Sequence, residues 1–211
     1  MRFTLTDRDL DLLETLTMRV RMLAMIQWAQ LGWPLGRNVK AAQRRLRQLT
    51  DTGLIETHVV NAHPLLPAEQ PLAEWQPGNC DHDAKKISEQ ARRRWNAAAQ
   101  PMTVCVASPL AAGLFGSTAR GLPAVEHRDH DLRLASTYVY YRQHQPQAAL
   151  MWLGNHALPK AGYRLKNPDA LLRDPCGRTL RVIHSAGHYS HEQVESFHKY
   201  CVEHDLPYEL W

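Results

Sequence analysis

"KNPDALLRDPCGRTLRVIHSAGHYS" occupies residues 166–190. It opens on a Pro-Asp step at Pro168 and Asp169 and runs through the β-formers of "ALLRD". It turns at "CGR" and enters a second run, "RTLRVIHS". Two strands joined by a hairpin are expected. "SHEQVESFHKYCVEH" then predicts a helix. Ser190 can cap it, Gln193 can complete a capping box, and Val194, Phe197 and Cys201 form its apolar stripe. "LPYELW" reads as a short strand after it.

Upstream, "EHRDHDLRLASTYVYYRQHQ" predicts a helix starting near His130, with Leu132, Leu134, Tyr138 and Tyr141 on its inner face. "AALMWLG" reads as a short apolar strand. The resulting order, α-β-β-β-α-β, resembles the core of the restriction-endonuclease-like, or PD-(D/E)XK, fold. A hairpin sheet bounded by helices fits the same pattern without nuclease ancestry.

The first sixty residues carry a different pattern. Thr6 can cap a helix over "DRDLDLLETL", with Asp7 and Asp9 in its first turn and Leu10, Leu13 and Leu16 at helical spacing. A second helix is expected over residues 20–31, broken by "GWPLG". A third is expected from about Asn38 to Asp51, stopping before Gly53, with β-rich pieces around "LIETHVV". In the third helix Val39, Ala42, Leu46 and Leu49 make an apolar stripe. Lys40, Arg44 and Arg47 make a cationic stripe beside it, with Arg37 ahead and Arg45 on another side. A recognition helix needs this arrangement: one face packs, and the neighbouring face meets phosphates and base edges. Three short helices, the third basic, and a β-wing resemble a winged helix-turn-helix. A plain solvated face is the alternative reading.

Between these regions, "AHPLLPAEQPLAEWQPGNCDHD" reads as an extended connector with little regular structure, from which Trp75 docks on a domain. Residues 85–98 predict a helix, and "MTVCVAS" a β-run. The expected division is residues 1–61 as a winged-helix DNA-binding domain, 62–100 as connector and helix, and 101–211 as a PD-(D/E)XK-like domain. The fold class is α+β.

The chain has 211 residues, is 44% hydrophobic and carries a formal charge of +4, which permits nucleic-acid binding without demanding it. No stretch approaches the length of uncharged apolar sequence that a transmembrane helix requires. "MRFTLTDRDLDLL" is charged and has no apolar signal-peptide core. Cys80, Cys105, Cys176 and Cys201 are far apart and form no CxxC pair, so reduced thiols and a cytoplasmic location are expected.

Across most of its length the chain resembles the replication-relaxation family, plasmid-linked proteins with an N-terminal winged helix and a PD-(D/E)XK-like C-terminal domain. "RRLRQLTDTGLIE", "FGSTARGLP", "HDLRLASTYVYYR", "PDALLRD", "GHYSHEQVESFHKYC" and "LPYELW" carry the resemblance through their order. Some relatives resemble relaxases that nick plasmid DNA. The resemblance implies a role in plasmid or mobile-element replication, mobilisation or regulation, with double-stranded DNA as partner, a homodimer as a candidate assembly and no membrane.

A nuclease of this layout gathers two or three carboxylates around Mg²⁺, with a basic group to orient water. Asp169 stands where the first carboxylate belongs. His184, Ser185 and Ala186 stand where the second acid and the lysine would fall, and imidazole is a poor Mg²⁺ ligand. Asp169 and His184 therefore read as remnant catalytic positions. Asn155 occupies a further position where an acid could have helped, and Glu126, Asp129 and Asp131 could each lend a carboxylate. A zinc site from three of His184, His188, His191 and His198 competes with the more ordinary reading of solvated or capping histidines. His127 and His130 are read the same way.

Three functions are therefore weighed. The first is a DNA-binding protein whose nuclease-fold domain is inactive and needs no cofactor. The second is a nuclease or nickase using Mg²⁺. The third is an interaction module without DNA contact.

Overall fold

Thr6 starts α1 (Asp7–Glu14) through a capping box, its backbone N–H donating to Asp9 Oδ2 at 2.7 Å. A computed structural model describes residues 3–33, 39–65, 69–94, 97–118, 121–158 and 168–211. Leu12, Leu13 and Leu16 enter the core, whereas Leu10 is exposed. The helix runs on as a π-helical turn, Thr15–Arg19, and stops at Val20 in extended backbone.

The helix expected over residues 20–31 begins later, as α2 (Met25–Gly32). Val20, Met22, Leu23 and Ala24 are buried, and β1 (Leu23–Ala24) pairs with a strand from far along the chain. An apolar run satisfies either period, and here a neighbouring strand supplies the backbone partners. α3 (Val39–Asp51) buries Ala42, Leu46 and Leu49. Gly53 follows at φ 73, a left-handed turn that glycine adopts without strain, and leads into β2 (Ile55–Ala62).

The segment after β2 leaves this sheet. It contains β3 (Ala73–Trp75) and α4 (Ala84–Arg93), the latter capped by Asp83, which accepts from Lys86 N at 3.0 Å. The connector thus contains a strand, and Trp75 is buried, its ring stacked on Tyr208. The chain then returns as β4 (Gln100–Ala107), which pairs with β2 from Ile55↔Ala107 to Ala62↔Gln100. The first sheet is antiparallel throughout, in the order β1-β4-β2. A domain boundary at residue 101 therefore falls inside a strand of the first sheet. Its β-forming sequence marked the strand without marking its partner.

Beyond β4 come α5 (Pro109–Leu114), α6 (Val125–His144), α7 (Pro146–Leu150), β5 (Trp152–Gly154) and a 3-10 turn, Asn155–Ala157. α6 starts at Val125, ahead of the expected start near His130. α7 takes residues that were expected to extend β5, because Pro146 suits a first helical turn. Then follow β6 (Ala170–Arg173), β7 (Thr179–His184), α8 (His191–Glu203) and β8 (Tyr208–Leu210). Ser190 and Gln193 form the expected capping box on α8. The second sheet has the order β3-β8-β7-β6-β5. β5, β6 and β7 form an antiparallel meander, and α8 carries the chain over to β8, which lies parallel to β7.

One hydrophobic cluster runs from Leu12, Trp28 and Leu49 through Tyr138 and Trp152 to Ile183 and Trp211, so the two sheets share a core. Polar ties cross the same seam. Arg142 reaches both oxygens of Asp11 at 3.0 and 2.9 Å, and Trp152 Nε1 donates to Arg19 O at 2.9 Å. The chain is α+β, and no helix among the described residues is long and apolar enough to cross a membrane.

Candidate functional site

Asp169 lies one residue ahead of β6, and His184 ends the neighbouring strand β7. The antiparallel register of these strands brings the two side chains together. Asp169 Oδ2 accepts from Ser185 N at 2.8 Å and lies 2.7 Å from His184 Nδ1. The His184 contact is close but off hydrogen-bond alignment. His184 Nε2 lies 2.8 Å from the Tyr189 hydroxyl.

α6 supplies a third group. His130 Nε2 stands 3.1 Å from Asp169 Oδ2, and its Nδ1 is 3.4 Å from Asp131 Oδ1. Burial acts to lower the His130 pKa, but the charges of Asp169 and Asp131 overcome it and raise it to about 10. Burial likewise acts to raise the Asp169 pKa, and the facing His184 and His130 hold the carboxyl well below the usual range. Asp169 is thus ionised and His130 cationic at neutral pH. A cleft of about 540 Å³ opens over this cluster, lined among others by Arg21, Glu126, His127, Asn155 and His188.

Two of the acids that could have completed a metal site are already engaged by other side chains. Asp129 turns to the end of β2, accepting from His63 N at 2.7 Å and meeting His63 Nδ1 at 2.7 Å. Asp131 faces His130 and lies 4.0 Å from Arg21. Glu126 is exposed. Asn155 donates to Pro168 O at 2.8 Å, bracing the approach to Asp169. Among the described residues no group of three or more His, Cys, Asp or Glu is arranged to hold a metal ion. The donor set explains this: a side-chain cation, His130, sits between Asp131 and Asp169. His198 is spent on Tyr208 and Asp81, at 2.9 and 3.0 Å, away from His184.

On α3, Lys40, Arg44 and Arg47 are exposed along one stripe, joined by Gln43. Arg45 differs. Its Nε donates to Asp9 Oδ1 at 2.9 Å, Nη2 donates to Thr4 O at 2.8 Å, and the guanidinium lies over the Phe3 ring. Asp9 is fully buried. Burial acts to raise its pKa, but the bonds from Arg45 and Thr6 hold the carboxyl below its ordinary value. Arg45 is therefore the counter-charge that ties α3 to α1 and does not belong with the outward basic residues. Arg37 lies outside the described residues.

The sequence pointed to Asp169 and His184 on neighbouring strands but not to Tyr189, and left His130 open between a metal ligand and a helix-start residue. No local pattern marks them, since they meet Asp169 and His184 only through the packing of α6 and the turn after β7.

Comparison with known proteins finds no matching family model, no similar curated protein and no similar solved structure.

Proposed function

We propose that this chain is a DNA-binding protein whose first sheet and first three helices act as a winged helix, with α3 as the recognition helix. The observation that carries this reading is the arrangement of α3. It is anchored by Ala42, Leu46 and Leu49 and by the Arg45–Asp9 pair, and it leaves Lys40, Arg44 and Arg47 facing outward. A helix fixed on one side and cationic on the other suits phosphate and base-edge contact in a major groove. The order α1-β1-α2-α3-β2, completed by β4 after the excursion through β3 and α4, with sheet order β1-β4-β2, supports the winged reading.

The second sheet, with its meander, α8 crossover and parallel β8, supports a PD-(D/E)XK-like domain. Its site is self-neutralised: His130 supplies the positive charge that a metal would bring, which favours an inactive nuclease fold over a nickase. The order of motifs that resembles replication-relaxation proteins supports a place in a plasmid or mobile-element replication, mobilisation or regulatory system. Fluorescence anisotropy with duplex DNA across a salt series tests the reading. Salt-sensitive binding is expected, and no binding at low salt would leave the interaction-module reading in its place.

A further inference from the structure

β2 is an open edge of the first sheet, and we infer that it pairs antiparallel with β2 of a second copy of this chain, about a twofold axis at Val59. The sheet order β1-β4-β2 gives β2 a neighbouring strand on one side only. Ser108 N donates to Leu54 O at 3.1 Å, and these two residues stand opposite each other in the register that pairs Ile55 with Ala107. Hydrogen-bonded pairs alternate along an antiparallel ladder. The even-numbered residues of β2 therefore bond to β4, while Thr57, Val59 and Asn61 turn their N–H and C=O groups to the open side. All three are exposed, and among the described residues no backbone group bonds them there.

The open stretch has two definite ends. Ile55 is only 1% exposed, so its outward groups are covered. At the other end His63 N, on the same side, is taken by Asp129 Oδ1 at 2.7 Å. The other sheet edges are protected by their shortness: β1 has two residues, and β3 and β5 have three each. β2 has eight, contains no proline, lysine or glycine, and keeps an unbroken register with β4. A long edge without such guards pairs with another strand.

The sequence of the stretch fits its own copy. A twofold axis must map Thr57–Val59–Asn61 onto itself, which places it at Val59. Thr57 then faces the partner's Asn61, hydroxyl against amide, and Val59 faces the partner's Val59. Val59 is 73% exposed, more than any other large apolar side chain among the described residues. The three N–H and three C=O groups of each copy meet their counterparts in the other, as an isologous contact requires. Glu56 falls opposite the partner's Ala62, about 20 Å along the strand from the partner's Glu56, so no like charges oppose each other. The pairing stands without the DNA-binding reading. Its consequence for that reading is a pair of α3 helices related by the same axis.

Sedimentation equilibrium of the full chain over a range of concentrations tests the pairing. Wild type is expected to dimerise reversibly. Val59→Pro removes two hydrogen bonds from the dimer and should weaken it at least about tenfold. Proline is tolerated where an edge N–H faces outward. Should that variant fail to fold, Val59→Lys sets two like charges on the axis and serves instead. The axis is read by cross-linking, with the exposed Cys80 and Cys176 changed to Ser. Val59→Cys should form a disulfide dimer on mild oxidation, because opposed Cα atoms of a hydrogen-bonded pair lie about 5.5 Å apart. Asn61→Cys should not, since its own copy is four positions away. A wild type that stays monomeric at its highest soluble concentration overturns the proposal and leaves the edge to a strand of another protein. A dimer that neither Val59→Pro nor Val59→Lys weakens overturns it too, because another surface then holds the copies together. Cross-linking of Asn61→Cys as fast as Val59→Cys would overturn the axis.

Discussion

His130 Nε2 lies 3.1 Å from Asp169 Oδ2, and the same imidazole meets Asp131 through Nδ1. A protonated side chain therefore bridges the Asp131 and Asp169 carboxylates. Coulomb attraction at this range is strong in a partly buried site, and it favours the charged forms of both partners.

The wild-type protein is accordingly expected not to nick supercoiled DNA in Mg²⁺ or Mn²⁺. In His130→Ala the bridge is gone and Asp131 and Asp169 are left to a solvent cation. Mn²⁺ should then raise the variant's Tm in a saturable way while leaving the wild type unmoved. Wild-type nicking that disappears in Asp169→Ala would count against the self-neutralised site.

The pH dependence of stability follows from the same cluster. The His130 pKa rises from 6.5 to about 10 on folding, so the folded state favours its protonated form. Its contribution is complete below pH 6.5 and is lost as the pH climbs through about 10. Asp169, held low, contributes above its unfolded value of 3.8 and loses that contribution as the pH falls. Urea unfolding between pH 6.5 and pH 10 should show falling stability in the wild type and a flatter profile in His130→Gln. Parallel profiles would mean that His130 titrates alike in both states.

Arg45 and Arg44 are neighbours with opposite expected phenotypes. Arg45→Met leaves the buried Asp9 carboxylate without its guanidinium, at a cost of roughly 3 kcal/mol. Chemical denaturation should show that loss, and duplex affinity measured where the protein stays folded should change little. A variant as stable as wild type would show that water replaces Arg45 at Asp9.

Replacing Arg44 and Arg47 together by Ala should do the reverse. Removing an arginine that touches a phosphate lowers the slope of log K against log salt by about 0.9, while removing one that reads a base costs roughly 1–3 kcal/mol at one base pair. Anisotropy at several salt concentrations should show weaker, less salt-sensitive binding, with Tm nearly unchanged because both side chains are exposed. Wild-type affinity and slope in the double variant would make this helix face merely solvated.

Sequence alone determined the features set by groups within about four residues of one another. Thr6 with Asp9 and Ser190 with Gln193 are caps made by near neighbours, and Gly53 ends α3 through its own backbone. The Pro-Asp entry, the "CGR" turn and α8 were legible for the same reason, so the order of strands and helix from β5 to β8 could be read, whereas α7 was not. Periodicity also separated Ala42, Leu46 and Leu49 from the exposed stripe of α3, although Val39, expected among the apolar residues, is exposed. Only the tertiary structure decided what depends on partners distant in the chain. Leu23 and Ala24 became a strand because β4 offered them an edge, and β4 itself joined the first sheet. Arg45 was withdrawn from the basic face by Asp9, a partner 36 residues away. His130 and Tyr189 reached Asp169 and His184 through the docking of α6 and the turn after β7. Charges act through space, so their partners are fixed by packing, which a local pattern does not encode.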